Sequence, residues 1–226
     1  MSATLRAAWL LALLPLFAGC STIGDWFDWS EDEDPRKPAE LVDIDTRVNI
    51  DRLWSVSVGD GQGKGLYKLQ PVLAGDMIYA ASVDGQVRAV ERNRGRTRWK
   101  ENLETGLSGG VGHYDGSLYL GSADGEVLRL DAGDGSVLWS ARLTGEVLAP
   151  PQGDGQVVVA QTYDGKLHGL DHDSGERLWS YDSNVPVLTI RGTSTPILRD
   201  GTVYAGFANG RVLAFDALTG AVSWEA

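Results

Sequence analysis

The sequence is poor in the residues that most often carry redox and metal chemistry. It has one cysteine and three histidines among 226 residues. A single cysteine excludes a disulfide within the chain and any zinc site built from several cysteines. Two of the histidines, His168 and His172, are four residues apart, but they flank a strand end and a turn, where such positions do not share a face. His113 is distant in sequence, so no metal site is predicted.

Positive charge is also scarce. The chain has 20 Lys and Arg residues against 31 Asp and Glu residues, which gives a formal net charge of −11. No run of basic residues interrupts this balance. Because an acidic surface repels a phosphate backbone, we do not expect nucleic acid to be a partner.

Long apolar runs are limited to the N-terminus. Residues 7–17 are apolar and follow Arg6, but this run is too short to remain in a bilayer as a spanning helix. The small pair Ala18 and Gly19 closes it, as is typical of a bacterial export signal. We therefore predict that residues 1–19 are a signal peptide.

The lone cysteine, Cys20, directly follows that segment. Residues 17–20, Phe-Ala-Gly-Cys, resemble the lipobox of bacterial lipoproteins, with Phe17 in place of the usual Leu. The resemblance implies cleavage before Cys20 and attachment of acyl chains to it, which would anchor the protein stably in a membrane. Ser21, where inner-membrane lipoproteins carry Asp, implies sorting to the outer membrane.

Residues 20–47 are acidic and contain proline, and a run of four acidic residues lies at 31–34. Such a composition favours a solvated, flexible tether between the lipid and the folded part. Trp26, Phe27 and Trp29 lie within it. They could rest on the membrane surface or dock on the protein, and the sequence does not choose between these positions.

Glycine and tryptophan are abundant, with 29 and 8 residues, and both recur at regular intervals. Four turn dipeptides are spaced by 40, 40 and 45 residues: Asp84-Gly85, Asp124-Gly125, Asp164-Gly165 and Asn209-Gly210. Four tryptophans keep the same spacings: Trp99, Trp139, Trp179 and Trp224. One unit is therefore copied four times.

Each copy contains four short runs with strand character, separated by turn signals. In the third copy these runs are residues 148–153, 157–162, 166–171 and 177–181. Asp-Gly and Asn-Gly between two runs favour tight hairpins, since glycine tolerates the positive φ that such turns need. Four antiparallel strands in 40 to 45 residues predict an all-β fold, a β-propeller of four-stranded blades over residues 48–226.

The blades resemble the quinoprotein (PQQ-like) repeat. The pattern Leu/Phe-Asp-x-x-x-Gly-x-x-x-Trp occurs three times, and a degenerate copy precedes it, with glycines at Gly95, Gly135, Gly175 and Gly220. The resemblance implies that each Trp lies on the outermost strand and packs against the next blade. Residues that recur at the same position in every repeat usually stabilise the packing of the repeats against one another. We therefore assign these residues a structural role and no catalytic one.

The repeat count predicts about four blades of a probable eight. Propellers of this type normally have seven or eight blades, so we expect the chain to be part of a longer protein. A strand at 52–58, which carries Trp54, precedes the first complete copy. In closed propellers such a strand completes the last blade, and we predict that role for it.

Two features suggest small-ligand chemistry, and neither is supported. Residues 59–65 are rich in glycine but are followed by a predicted strand at 69–73, whereas phosphate loops need a helix N-terminus. Quinoprotein dehydrogenases bind their quinone with an adjacent-cysteine disulfide, a calcium ion and a catalytic Asp. This chain has no Cys-Cys pair, so we expect no cofactor and no enzymatic activity.

One connection departs from the repeat. From Trp139 to Pro151 is 12 residues, but from Trp179 to the equivalent Pro196 is 17. The additional residues bring an aliphatic cluster that ends in arginine, residues 185–191. Surface loops are normally polar, so this cluster indicates either a partner-binding site or side chains packed between blades.

The signal, lipobox, acidic tether and residues 188–192, Leu-Thr-Ile-Arg-Gly, together resemble the BamB family of outer-membrane assembly lipoproteins. The resemblance implies a non-catalytic scaffold, lipid-anchored through Cys20 on the periplasmic face of the outer membrane. Its implied partners are BamA, other subunits of the BAM complex and nascent β-barrel proteins. It also implies that Leu188, Ile190 and Arg191 bind BamA, with Ile190 replacing a Leu. The alternative is a periplasmic quinoprotein or another ligand-binding propeller.

Overall fold

The computed structural model of the chain describes residues 38–45, 47–65, 67–184, 186 and 191–226. Two compact units divide at residue 50. In the first unit the described residues, 38–45 and 47–50, are exposed and carry no helix or strand. The predicted lipidation site Cys20 and the aromatic residues Trp26, Phe27 and Trp29 lie outside the described residues. Among the described residues, no helix has the length and apolar character needed to cross a bilayer.

The second unit, residues 51–226, is built from short strands. In the described residues these are β1 (Lys68–Leu69), β2 (Val72–Ala74), β3 (Met77–Ala81), β4 (Gln86–Glu91), β5 (Thr97–Asn102), β6 (Leu107–Tyr114), β7 (Ser117–Ser122), β8 (Glu126–Asp131), β9 (Val137–Arg142), β10 (Gln152–Gly153), β11 (Val157–Gln161), β12 (Lys166–Asp171), β13 (Arg177–Asp182), β14 (Ile197–Arg199), β15 (Thr202–Gly206), β16 (Val212–Asp216) and β17 (Val222–Glu225).

These strands form four antiparallel sheets that follow chain order, and the predicted propeller fold is confirmed. Blade 1 is β2 to β5, blade 2 is β6 to β9, blade 3 is β10 to β13 and blade 4 is β14 to β17. Each blade buries an apolar centre, such as Leu118 and Leu120 in blade 2 and Val157 and Val159 in blade 3. The turn dipeptides join the second and third strands of each blade, as the hairpin pattern requires.

Two predicted strands differ from the observed ones because of prolines. The run at 69–73 is divided: β1 pairs in parallel with β6 of blade 2, and β2 begins blade 1. Pro71 lies between them and has no N–H to continue a ladder. In blade 3 the predicted strand 148–153 is reduced to β10, because Pro150 and Pro151 precede it and cannot donate.

The predicted strand at 52–58 is not formed as a hydrogen-bonded strand, since no ladder pairs it in the described chain. Its side chains nevertheless alternate between partly buried and exposed positions, and Trp54, Val56 and Val58 are the partly buried ones. Trp54 Nε1 donates a hydrogen bond to Arg92 O of blade 1 at 2.8 Å. The segment thus has the spacing of an outermost strand, and its place in a closing blade stays a prediction.

The repeated tryptophans join each blade to the next. Trp99 Nε1 donates to Ala132 O at 2.9 Å, and Trp139 and Trp179 make the same contact with the following blades. Each ring covers the glycine of the facing turn: Trp99 covers Gly135, and a Cβ built on that glycine would approach the ring to 2.7 Å. The repeated Trp and Gly are therefore two halves of one inter-blade contact.

Substitution of Gly135 tests how much the Trp99–Gly135 contact contributes to stability. Gly135→Ala introduces both a strained positive φ and a clash with the Trp99 ring, whereas Gly116→Ala introduces only the φ strain, since nothing lies within 4 Å of its built Cβ. We expect Gly135→Ala to lower the free energy of unfolding by about 1 to 2 kcal/mol more than Gly116→Ala does. Urea denaturation of the two variants checks this, and equal losses would contradict the contact.

Candidate partner-binding site

The connection between blades 3 and 4, residues 183–196, contains the predicted partner-binding cluster. Leu188 and Ile190 lie outside the described residues. Pro186 is described and exposed, and Arg191 is described and partly exposed. The structure therefore shows how Arg191 and the ends of the connection are held.

Arg191 is held by an acidic residue from the preceding connection. Its Nη2 and Nε both approach Glu146 Oε2, at 2.9 and 3.2 Å, and its guanidinium lies 5.3 Å from the centre of the Tyr67 ring. Hydrogen bonds to Glu146 and Tyr67 raise the pKa of Arg191 above its ordinary value. Both side chains of the ion pair are about one-third exposed, so the pair orients Arg191 and leaves part of its side chain accessible to solvent.

Three further contacts hold the C-terminal end of the connection. Lys68 Nζ donates to Thr193 O at 2.5 Å. The Ser194 hydroxyl lies 2.7 Å from Gly206 O and 2.8 Å from the side-chain oxygen of buried Gln161. These contacts come from blade 3, blade 4 and β1. They fix the positions of Thr193 and Ser194, which follow the aliphatic cluster.

The N-terminal end is held by the turns of the two flanking blades. Ser183 is buried, and its N–H donates to Gly165 O in blade 3 at 3.1 Å. Its hydroxyl accepts a hydrogen bond from Asn209 Nδ2 of blade 4 at 3.1 Å. Both ends of the aliphatic cluster are therefore fixed to the propeller.

The glycine-rich stretch brings Tyr67 and Lys68 to this place. It packs on the central turn of blade 1, where Val83 N donates to Gly61 O and Gly59 N donates to the Gln86 side chain. From there the chain reaches β1, whose pairing places Lys68 opposite Gly109. A side chain at Gly109 would collide with backbone oxygens of residues 147 and 149, so close packing at this edge requires glycine.

The sequence did not indicate Glu146, Tyr67 or Lys68. Glu146 lies in a connection that follows the repeat, and Tyr67 and Lys68 lie between the glycine-rich residues 59–65 and the predicted strand at 69–73, where the sequence assigns no role. No spacing rule joins them to Arg191, since Glu146 is 45 residues away and Lys68 is 125 residues from Thr193. The parallel pairing of β1 with blade 2 brings Tyr67 and Lys68 to this place, and the packing of blades 2, 3 and 4 brings Glu146 to Arg191.

The three histidines do not form a site. His168 is fully buried in blade 3, with its Nε2 3.4 Å from Thr162 Oγ1. His172 Nδ1 lies 3.0 Å from Asp173, and His113 stacks on Tyr79 at a ring-centre distance of 6.0 Å. Over the described ranges, no group of three His, Cys, Asp or Glu residues is placed to hold a metal ion.

Comparison with known proteins relates these features to one family. The family described as outer membrane protein assembly factor BamB matches residues 83–226. The BamB of Nitrosomonas eutropha is 38% identical over 99% of this chain and 56% of its own length. The BamB of Pseudomonas aeruginosa is 44% identical over 97% of this chain and 56% of its own length. The chain thus spans little more than half the length of these curated relatives.

Solved structures agree. The crystal structure of BamB from Moraxella catarrhalis matches with a TM-score of 0.65 and 34% identity over 69% of this chain and 47% of that one. A europium-containing methanol dehydrogenase matches with a TM-score of 0.60 at 18% identity, over 77% of this chain and 43% of that one. The second likeness shows the fold alone. The family match and the shared propeller establish that this chain belongs to the BamB family of outer membrane protein assembly factors.

Proposed function

We propose that the chain is part of a non-catalytic scaffold lipoprotein that assists the assembly of β-barrel proteins at the periplasmic face of the outer membrane. In this proposal Cys20 carries the lipid anchor. The 183–196 connection binds BamA through Leu188, Ile190 and Arg191. BamA then brings the scaffold to the other BAM subunits and to nascent barrel proteins.

The observation that carries the proposal is the connection that breaks the repeat, in a chain whose relatives are named assembly factors. Its aliphatic cluster lies between two ends fixed by buried groups, with Arg191 held in place by Glu146. A pre-oriented arginine beside apolar residues is the composition typical of interface hot spots, because little conformational freedom is lost when a partner binds.

The repeated aspartates support the non-catalytic part of the proposal. Asp131 Oδ1 accepts hydrogen bonds from the N–H groups of Gly133 and Asp134, and Asp171 and Asp216 cap the equivalent turns. Hydrogen bonds from Ser174 lower the pKa of Asp171, and those from Thr219 lower the pKa of Asp216. A carboxylate that acts as a general base at neutral pH needs a raised pKa. The lowered pKa values of Asp171 and Asp216 therefore fit a role in capping turns and do not fit general-base catalysis.

Substitution of the cluster tests the assignment. Replacing Leu188, Ile190 and Arg191 together by alanine is expected to weaken binding to BamA by at least about tenfold. Co-purification and titration by calorimetry measure the loss. The matched control is Leu218→Ala, which removes an exposed aliphatic side chain elsewhere in blade 4. Undiminished binding of the triple variant would exclude this connection as the BamA site.

A charge exchange separates the roles of Arg191. If Glu146 only orients Arg191, Glu146→Gln is expected to weaken BamA binding less than Arg191→Ala does. The double variant Arg191→Glu with Glu146→Arg restores the intrachain pair without restoring the arginine at 191. Restored binding would show that Arg191 only fixes the connection, and continued weak binding would show that it touches BamA.

A further inference from the structure

Blade 1 carries a cluster of positive charge on its outermost strand, β5, and on the turn before it. Every second residue from 92 to 100 is basic and none is acidic, and we call these five the blade 1 rim: Arg92, Arg94, Arg96, Arg98 and Lys100. All five are exposed. Because uncharged residues separate them, they form no uninterrupted run. They nevertheless make up a quarter of the basic residues of a chain whose net charge is −11.

The repeat does not require these charges. At the equivalent positions of blades 2, 3 and 4 the sequence has no Lys or Arg, and blade 2 has Ala132, Asp134, Ser136, Leu138 and Ser140. Residues that pack one repeat on the next recur in every copy, as the tryptophans and glycines do. The rim charges do not recur, so the packing of the blades does not explain them.

Neighbouring carboxylates neutralise only part of the rim charge. Glu91 pairs with Arg96 at 3.4 Å, and within the described chain no other ion pair involves a rim residue. Asp76 lines a cleft beside two of the rim arginines. Glu101 lies on the face of β5 that carries Trp99 and packs toward blade 2. The rim therefore keeps a net positive charge.

The chain enters its second compact unit at the rim. Trp54 Nε1 donates to Arg92 O at 2.8 Å, and the Trp54 ring covers Gly95, which lies between rim residues. About 30 residues separate Cys20 from Asp51, where this unit begins, and a chain of that length reaches at most about 100 Å. A lipid at Cys20 would therefore keep the rim close to the membrane surface and raise its effective concentration there.

Local charge decides whether a protein surface binds to a membrane. At an ionic strength of about 0.1 M the Debye length is about 10 Å, so charges far from the contact act weakly and the net charge of −11 does not prevent binding. Clustered Lys and Arg residues attract anionic lipids. Four of the five rim residues are arginines, whose forked donors suit phosphate oxygens.

We propose that the blade 1 rim docks on the phosphate groups of an anionic lipid surface, so that the lipid at Cys20 and the rim together hold the protein at the membrane. Contact at the rim limits the orientations that the propeller adopts at that surface, which a lipid on a long tether does not do. The inference rests on the proposed function, which supplies the lipid anchor. It goes beyond the BamA contact, because the rim shares no residue with the 183–196 connection.

Co-sedimentation with lipid vesicles tests the rim. The chain from residue 20 onward with Cys20→Ser carries no lipid, so its binding does not depend on whether Cys20 is acylated. At about 0.05 M salt we expect it to bind vesicles of phosphatidylcholine with phosphatidylglycerol at least about tenfold more strongly than vesicles of phosphatidylcholine alone. Salt at about 1 M, where the Debye length is about 3 Å, is expected to remove this difference.

Two variants of equal net charge locate the contact. The rim variant replaces four rim residues by Gln, namely Arg92, Arg94, Arg98 and Lys100, and is expected to bind the anionic vesicles at least about tenfold more weakly than the parent chain. The control variant replaces four exposed cations of the other blades by Gln: Arg142, Arg177, Arg199 and Arg211. Its binding is expected to stay within about twofold of the parent, because these cations lie away from the rim.

Circular dichroism checks the fold of each variant, and Arg98→Gln with Lys100→Gln replaces the rim variant if that variant is unfolded. Equal binding of the parent and the rim variant would overturn the proposal, and so would equal losses in the rim and control variants. Equal binding to neutral vesicles would assign the membrane contact to apolar residues outside the rim. Binding of polyglutamate without binding of anionic vesicles would assign the rim to an acidic polypeptide. BamA binding, which the rim variant is expected to retain, tests the proposed function separately.

Discussion

Trp179→Ala is expected to lower the free energy of unfolding of this chain by about 3 to 5 kcal/mol. The Trp179 ring is 9% exposed, covers Gly220 and stacks near Phe215, and its Nε1 donates to Ala217 O of blade 4 at 2.8 Å. Truncation leaves a cavity between blades 3 and 4 and an unpaired carbonyl. Urea denaturation, monitored by circular dichroism, measures the loss.

Trp224→Ala is the matched control, because Trp224 occupies the same repeat position in blade 4. Trp224 is 45% exposed, and its ring lies 6.1 Å from the ring of Tyr204 in the same blade. We expect a loss of about 1 kcal/mol or less from this variant. If the two substitutions destabilised the chain equally, the inter-blade contact would not be the source of the effect.

The stability of the chain is expected to fall as the pH drops from about 6.5 to about 4, with a contribution on the order of 3 kcal/mol from His168. Burial lowers the pKa of His168 to about 4 from the ordinary 6.5. In that window the unfolded chain binds a proton that the folded chain does not, so protonation favours unfolding. Above pH 6.5 the imidazole is neutral in both states, and this contribution no longer changes.

His168→Leu tests this linkage with the residue that the repeat itself uses, since the equivalent position in blade 2 is buried Leu128 and in blade 4 buried Leu213. Because the two proteins differ only at residue 168, the difference between their pH profiles measures the contribution of His168. We expect the variant to lose the additional decline between pH 6.5 and pH 4. If the unfolding free energies of the two proteins changed in parallel with pH, protonation of His168 would not destabilise the folded chain.

Much of the architecture follows from local pattern. Asp-Gly turns, alternating strands and tryptophans at intervals of 40 and 45 residues predicted the blades, because hairpins depend on neighbouring residues. The predicted strand bounds were wrong where proline residues interrupt the alternating pattern. Pro71 divides a predicted strand, and Pro150 and Pro151 shorten another, since proline removes a donor. The segment at 52–58 has strand alternation but no ladder within the described chain.

The candidate site was predicted less completely. The length of the 183–196 connection identified it, because an insertion is visible against a repeat. The groups that hold it were not visible, since ion pairing depends on distance in space. Glu146 meets Arg191 across two connections, and Lys68 meets Thr193 only after β1 pairs with the next blade.

The sequence by itself determined the fold class, the structural role of the repeated Trp and Gly, and the position of the connection that departs from the repeat. Each of these is a property of residues close in sequence or copied at a fixed interval. Only the tertiary structure decided which groups hold Arg191 and which blade β1 pairs with, because ion pairs and strand pairs between blades depend on distance in space. Packing between blades joins residues that no local pattern connects.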